Sequence, residues 1–288
     1  MNNSLTLTNQ TAMSTEELKI AVGEAFDAIR AKRPMIHQIT NYVVMNQTAN
    51  ATLHIGASPV MAHAVDEVEE MVSLANALVI NTGTLSRHWI EGMHLAGKRA
   101  NQQVIPIVLD PVGVGATNFR TETILKLLDS LDIAIIKGNS GEIGKLNSET
   151  VQVRGVDSIM GTNVPCQTVL ELSRKRDGKT IVALSGKIDY VSDGRQVIMI
   201  KNECDLLNQL TGMGCTVSAI MGCFAGITDN YLLAAVGGFA VMGVCAELAA
   251  KDSRVRGAAS FQVALFDRLS TLTGTELANL LDIEIVNC

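Results

Sequence analysis

Ile105-Pro106-Ile107-Val108-Leu109-Asp110-Pro111-Val112-Gly113-Val114-Gly115 is an apolar run that ends abruptly in an acid, a proline and glycines. A short apolar run bounded by turn residues predicts a strand buried on both faces, and such strands belong in a sheet covered by helices on either side. The unit recurs: apolar runs at Met35–Ile39, Pro59–Met61, Ala77–Ile80, Ile133–Ile136 and Ile181–Leu184 alternate with segments of helical period. Strand then helix, repeated, predicts an α/β protein with a central, mostly parallel sheet flanked by helices on both faces. The strand ends read His37–Asn41, Asn81–Thr84, Asp110–Gly115, Lys137–Asn139 and Ser185–Gly186, all polar or glycine-containing. In an open parallel sheet those carboxyl ends form the ligand crevice.

Upstream, Ser14 and Glu17 have capping-box spacing, and Leu18, Val22, Phe26 and Ile29 recur at helical intervals until Pro34, which predicts an amphipathic first helix. Downstream, Tyr190–Val191 and Val197–Ile200 flank Asp193-Gly194, a hairpin signal expected to edge the sheet. From Thr211 onward the pattern reads as helices only. With no linker or internal repeat, the economical organisation is one domain over residues 14–288 behind a polar extension, 1–13.

Composition narrows the partners. Apolar residues make up 47% of the chain and aromatic ones only 3%, so the interior is built mainly from Ala, Val, Ile, Leu and Met. The net charge of −6 has no basic tract to offset it, which argues against nucleic acid or an anionic membrane as partner. Small molecules and further copies of the chain remain. Six cysteines (Cys166, Cys204, Cys215, Cys223, Cys245 and Cys288) show neither C-x-x-C pairs nor metal spacing, and a reduced, cytoplasmic setting is the simplest reading. The apolar stretch Tyr231–Ala250 contains Glu247 and is followed by Lys251 and Asp252. A buried core helix accounts for it without a membrane.

Leu210-Thr211-Gly212-Met213-Gly214-Cys215 runs directly into an apolar helix, Thr216–Phe224. Glycines there let the backbone turn sharply and leave unpaired N–H groups at a helix N-terminus, where peptide dipoles favour negative charge. Gly212, Met213, Gly214 and Cys215 thus form a candidate anion cradle, although an ordinary tight turn before a buried helix has the same composition. A transferring phosphoryl group gathers charge that such donors stabilise. Cys215 stands at the helix mouth, where a dipole and any nearby cation lower a thiol pKa. It is a candidate nucleophile, a candidate base, or a packing residue like Cys223. His37, His54, His63, His88 and His94, which could activate it, are all distant in sequence. The chain has no G-x-x-x-x-G-K-[ST] P-loop, and Gly113-Val114-Gly115 lacks the third glycine of a dinucleotide motif.

Phosphoryl transfer from ATP uses Mg²⁺, for which one or two carboxylates beside the phosphates suffice. Asp110 and Glu142 are the candidates, both expected at strand ends on the crevice side, with Asn139 sharing a helix face with Glu142. Taken singly, Asp110 is also a common turn former and Glu142 a common helix N-terminal charge.

These segments have a likeness in common. Pro34-Met35-Ile36-His37-Gln38-Ile39-Thr40-Asn41-Tyr42-Val43-Val44 and Gly56-Ala57-Ser58-Pro59-Val60-Met61 resemble the N-terminal signature of hydroxyethylthiazole kinases. The likeness continues in order through Asn81-Thr82-Gly83-Thr84-Leu85, Leu109-Asp110-Pro111-Val112-Gly113, Phe119-Arg120-Thr121, Gly138-Asn139 with Glu142, and Gly155-Val156-Asp157. It spans about residue 30 to Gly257–Phe261, most of the chain. The resemblance implies a ribokinase-like fold, a homotrimer with sites between subunits, and Mg-ATP-dependent phosphorylation of 4-methyl-5-(2-hydroxyethyl)thiazole for thiamine biosynthesis. By position it implies that Asn41, Met61 and Gly212 meet the thiazole, that Lys137 and Ser185 meet ATP, and that Asp110 and Glu142 organise Mg²⁺ indirectly. Cys215 falls where many ribokinase-like enzymes carry an aspartate base, which implies weak base catalysis. Lys137 replaces a frequent Arg, Ser185 a frequent Thr, and Met213 a smaller residue. Arg120 and Asp157 keep a reading of surface or structural ion pairing.

Three other readings compete: a thiol-dependent hydrolase or transferase using Cys215, a non-catalytic binder of the same fold, and a kinase for another small alcohol or a pyrimidine. The first predicts burst labelling by an electrophile and no ATP requirement.

Overall fold

Ser14 caps the first helix, α1 (Thr15–Lys32), by accepting from Glu17 N while the Glu17 carboxylate accepts from Ser14 N. Arg33 ends α1 in a left-handed conformation before Pro34. In this computed structural model, which describes residues 13–149 and 164–288, strands and helices then alternate. They are β1 (Met35–Ile39), α2 (Met45–His54), β2 (Ser58–Val60), α3 (Val68–Leu74), β3 (Ala77–Asn81) and α4 (Arg87–Gln102). Next come β4 (Ile107–Asp110), α5 (Asn118–Ser130), β5 (Ile135–Asn139), α6 (Ser140–Glu149), α7 (Val164–Lys175) and β6 (Ile181–Ser185). The antiparallel hairpin β7 (Asp189–Ser192) and β8 (Val197–Ile200) leads through a 3₁₀ turn at Asp205–Gln209 to α8 (Met213–Ala225) and α9 (Tyr231–Ala250). The chain closes with α10 (Ala258–Thr271), α11 (Gly274–Leu280) and β9 (Ile283–Val286).

The strands form one nine-stranded sheet in the order β2-β1-β3-β4-β5-β6-β7-β8-β9. Pairing is parallel from β2 to β6 and antiparallel from β6 to β9. The parallel strands are buried on both faces because their residues alternate between two cores. Ile36, Val79, Val108 and Ile135 pack with residues of α1, α8, α9 and α10. Leu78, Ile80, Leu109 and Ile136 pack with residues of α3, α4, α5 and α7 on the other side. Each such side chain contributes about 1.5–3 kcal/mol by leaving water. Register sets Asn81 beside Asp110 and Asn139 beside Ser185, so the polar residues that end the strands share one rim.

Helix α9 is long and apolar enough to cross a membrane, yet 83% of its most apolar window is buried within the fold. It packs against α1, α8 and α10, as expected of a core helix. Two expectations are corrected. The C-terminal region is not helical throughout, because Ile283–Val286 adds to β8 as β9, with Glu284 paired to Lys201 across the ladder. Four residues carry too little pattern to be read without the strand they join. The β7–β8 hairpin is therefore internal to the sheet, and β9 is its edge. Cys166 on α7 and Cys288 also come close, Cα to Cα 6.1 Å, across a separation of 122 residues. Gly155-Val156-Asp157 and residues 1–12 of the N-terminal extension lie outside the described residues.

Candidate active site

Gly212 is the N-cap of α8 and sits at φ 78°, in the left-handed region that only glycine enters cheaply. A side chain there would also overlap the Val44 Cγ1 methyl. Among the described residues no side chain caps α8, so its first turn keeps the unpaired N–H groups of a helix start. Gly212, Met213 and Gly214 line a cleft of about 620 Å³, together with Asn139, Ser185 and Asp189. The carboxyl ends of β5 and β6 thus face the glycine-rich helix start, where the sequence placed the crevice. A separate hollow of about 500 Å³, lined by Ile105, Ile133 and Thr180, lies at the opposite ends of the strands, away from these groups.

One cation reaches the helix start. Lys137, from β5, is buried, and its Nζ donates to Gly214 O at 3.1 Å. The missing Gly214 side chain makes room for it, since a Cβ there would stand 2.9 Å from Nζ. Asp110, at the end of β4, is also buried, and its Oδ2 accepts from Asn81 Nδ2 and from Ser218 Oγ, both at 2.8 Å. Burial pushes the Asp110 carboxyl above its ordinary range, Lys137, Ser218 and Asn81 pull it back, and Glu142 adds to the rise. Among the described residues Lys137 is the one cation acting on it, and its attraction favours the charged form against burial.

Glu142 is placed differently from a simple metal ligand. Its Oε1 accepts from Gly113 N at 2.9 Å and its Oε2 from Asn139 N at 2.9 Å, while Asn139 Oδ1 accepts from Glu142 N at 3.0 Å. The reciprocal pair opens α6 as a capping box does, and the bond to Gly113 ties α6 to the loop after Asp110. Both Glu142 and Asn139 therefore sit at the rim, with Glu142 acting through the loop it holds.

Cys215 lies in the first turn of α8, with Asn41 Nδ2 at 3.7 Å from its Sγ. Burial, and then the nearby Asp110 charge, push its thiol up to about 11, against smaller opposing effects of Lys137, Asn81 and Asn41. Position at a helix start had suggested a lowered value; desolvation outweighs the dipole here, and the thiol is neutral at pH 7. No histidine is among the groups acting on it. Asn41 follows β1, buried, with Nδ2 donating to Asn81 Oδ1 at 2.8 Å and Oδ1 accepting from Val43 N at 3.0 Å. Ser185 ends β6 on the cleft wall and donates to Gly138 O at 3.3 Å. Met61, half-buried, follows β2 at the same end of the sheet but makes no hydrogen bond in this network.

Several site residues were not picked out from sequence. Asn81 and Ser218 are the two partners of Asp110. Ser218 was detectable as the residue one turn after Gly214 on α8, and Asn81 as a polar strand end in register with Asp110. Asp189, half-buried on the cleft wall, accepts from Gly186 N at 2.9 Å, and burial raises its carboxyl to about 7. Arg120 makes no ion pair among the described residues; its guanidinium donates to Thr82 O, Gly83 O and Val112 O, clamping the loops after β3 and β4.

Mg²⁺ has a partial seat. No group of three or more His, Cys, Asp or Glu among the described residues encloses a metal. Mg²⁺ needs no such cage, because it keeps waters and takes phosphate oxygens. The donor set fits: among the described residues Asp110 Oδ1 accepts no hydrogen bond, and it belongs to the only carboxylate in direct contact with the Asn81–Ser218 pair.

A mostly parallel sheet whose strand ends face an uncapped, glycine-started helix, with a lysine and an aspartate converging there, defines a small-molecule kinase of the ribokinase-like class. A pyridoxal kinase of Staphylococcus aureus in complex with AMP-PCP shares the fold, with a TM-score of 0.62 at 13% identity over 88% of this chain and 99% of that one. The hydroxyethylthiazole kinase family model matches residues 26–275. The hydroxyethylthiazole kinase of Desulforudis audaxviator is 48% identical over 92% of this chain and 96% of its own length. The solved hydroxyethylthiazole kinase of Pyrococcus horikoshii OT3 superposes with a TM-score of 0.84, at 40% identity over 93% of this chain and 99% of that one. The chain belongs to the hydroxyethylthiazole kinase family.

Proposed function

We propose that this protein transfers the γ-phosphoryl group of ATP to the side-chain hydroxyl of 4-methyl-5-(2-hydroxyethyl)thiazole, with Mg²⁺ as cofactor, in the supply of thiamine. The observation that carries this reading is the bond of buried Lys137 to the uncapped start of α8, with the Asp110 carboxyl within its electrostatic reach at the same strand ends. Nucleotide phosphates would lie along Ser185, Lys137 and the Gly212–Cys215 backbone, with the acceptor between Asn41, Met61 and Gly212. Bound Mg²⁺ would offset phosphate charge, held through Asp110, with Glu142 acting indirectly through the Gly113 loop. As the acceptor oxygen bonds to phosphorus and the bond to the β-bridging oxygen breaks, charge on the equatorial oxygens is met by Lys137 and the helix N–H groups.

Cys215, a neutral thiol, lines the reacting oxygen. A loose phosphoryl-transfer transition state requires little base assistance, so the hydroxyl proton can depart late to the transferred phosphoryl oxygen. The same raised thiol speaks against a covalent cysteine mechanism, which needs thiolate. The reading further includes one kinase domain over residues 14–288, a cytoplasmic setting where ATP is supplied, and a homotrimer. Exposed Tyr42 and Val43 beside Asn41 support the last, since they offer an apolar surface at the acceptor end. The test is ADP formation by purified protein with Mg²⁺, with and without the thiazole, following the monophosphate by mass. Thiazole-dependent ADP and a monophosphate are expected; thiol labelling kinetics without any ATP requirement would overturn the reading.

A further inference from the structure

Four buried polar side chains form a single directed chain across the floor of the site. Asn41 Nδ2 donates to Asn81 Oδ1, Asn81 Nδ2 donates to Asp110 Oδ2, and Ser218 Oγ donates to the same oxygen, each at 2.8 Å. All four are at most 4% exposed, so no water competes for these bonds and each partner is needed. The polarity follows from chemistry. The backbone amide Gly83 N donates to Asn81 Oδ1 at 3.0 Å, which fixes that oxygen on the Asn41 side and turns the Asn81 NH₂ to Asp110. Asn41 must then present its NH₂ to Asn81, leaving one N–H of that group directed toward Cys215 Sγ at 3.7 Å, while its oxygen is taken by Val43 N.

We infer that Asn81 is a positioning residue that links the two halves of the reaction: it orients the Asp110 carboxylate toward the phosphates and the Asn41 amide toward the acceptor. Ser218 serves the Asp110 end alone. Resting on the kinase reading above, this assigns roles to Asn81 and Ser218 in a reaction neither of them touches. With Oδ2 held by two donors, Asp110 can offer only Oδ1 to a cation. With its amide polarity fixed, Asn41 turns its NH₂, and not its oxygen, toward Cys215 and the acceptor side. The acceptor hydroxyl is thereby met as a hydrogen-bond acceptor and stays free to point its lone pair or proton at phosphorus and phosphate.

Separate measurements on the two ends test this. Calorimetric titration of the hydroxyethylthiazole into nucleotide-free protein reads the Asn41 end. Titration of Mn²⁺ with a non-hydrolysable ATP analogue, followed by electron paramagnetic resonance, reads the Asp110 end and needs no thiazole at all. Asn81→Leu should weaken both by about 10-fold or more, the scale of one lost hydrogen bond to a charged or buried group. Ser218→Ala should weaken only the Mn²⁺-nucleotide arm and leave thiazole affinity within about twofold, a shift of under half a kcal/mol. Asn81→Ser, smaller and polar, serves if the leucine variant does not fold, with melting temperatures as the control. Equal losses on both arms for the Asn81 and Ser218 variants, or wild-type thiazole affinity in a folded Asn81 variant, would overturn the inference. If wild-type protein fails to bind the thiazole, the substrate reading fails, while the Mn²⁺ arm still decides whether Asn81 and Ser218 position Asp110.

Discussion

Replacing Gly214 with alanine separates the fold from the chemistry, because the site is crowded only by the tip of one flexible side chain. The added methyl would stand 2.9 Å from Lys137 Nζ, and no other atom comes within 4 Å of it. Ordinary van der Waals separation is about 3.5 Å or more, so the ammonium must retreat by roughly 0.6 Å. Retreat breaks or lengthens its 3.1 Å bond to Gly214 O and moves the one cation acting on Asp110 and Asp189. Stability should hardly change, since alanine gains up to about 1 kcal/mol over glycine in a helix and the displaced bond costs about the same order. Activity should fall far more. A charge-assisted hydrogen bond to a transferring phosphoryl group is worth about 1.5–3 kcal/mol, which is roughly 10- to 100-fold in kcat/KM for ATP. Melting temperature and kcat/KM, measured on the same preparation and with KM for the thiazole as internal control, give the answer. A folded Gly214→Ala protein with full activity would show that Lys137 need not sit where the structure holds it.

Cys215→Ser should keep turnover within about tenfold, because a thiol raised to about 11 donates no thiolate chemistry at pH 7 that serine would lose; abolition in a folded variant would restore a covalent role. Cys215→Asp should retain or raise turnover if the position can serve as a base, and loss of all turnover with the fold intact counts against that. Asp189→Asn should remove a pH dependence of stability. Its carboxyl titrates near 7 in the fold against 3.8 normally, so between those values the folded state binds more protons than the unfolded one, and stability falls as pH rises toward 7. Urea midpoints at pH 5 and pH 8 should therefore converge in the variant, whose amide oxygen still accepts from Gly186 N, and parallel behaviour of both proteins would refute the assignment. Gly212→Ala should destabilise by about 2–5 kcal/mol, combining a left-handed backbone penalty with overpacking against Val44; chemical denaturation checks this, and a change under about 0.5 kcal/mol would mean the turn is not fixed.

What the sequence disclosed depended on how local each signal was. The capping box at Ser14 and Glu17, the alternation of strands and helices, the Asp193-Gly194 hairpin and the Gly212–Cys215 helix start are written in neighbouring residues, and each is found in place. β9 was missed because four residues become a strand only beside β8. Asn81 and Ser218 were missed, and Arg120 was read as an ion-pairing residue and not a carbonyl clamp, for a related reason. Their roles rest on bonds to residues 29, 108 and 37–38 positions away, and nothing in an isolated Asn, Ser or Arg shows which of these partners folding will supply. Cys215 was placed correctly and its thiol misjudged, since the helix dipole can be read from sequence and the depth of burial cannot.

Charge balance in the cleft gives a reason for the cation to arrive with the nucleotide. The cleft wall carries Asp189, Glu203 and Asp205 against Lys187, and Lys187 is already drawn to Glu203 at 3.6 Å. Deeper in, Lys137 faces Asp110, with Glu142 near enough to raise the Asp110 carboxyl further. Carboxylates outnumber ammonium groups at both depths. A bare nucleotide polyphosphate would meet this field at a disadvantage, offset only by helix N–H groups and one buried lysine. A divalent cation reverses the balance by neutralising phosphate charge and giving Asp110 Oδ1 an opposite charge to face. A lysine in place of a planar, bidentate arginine fits the same arrangement: Lys137 delivers its charge as a point into the space left by Gly214, where its ammonium donates to Gly214 O.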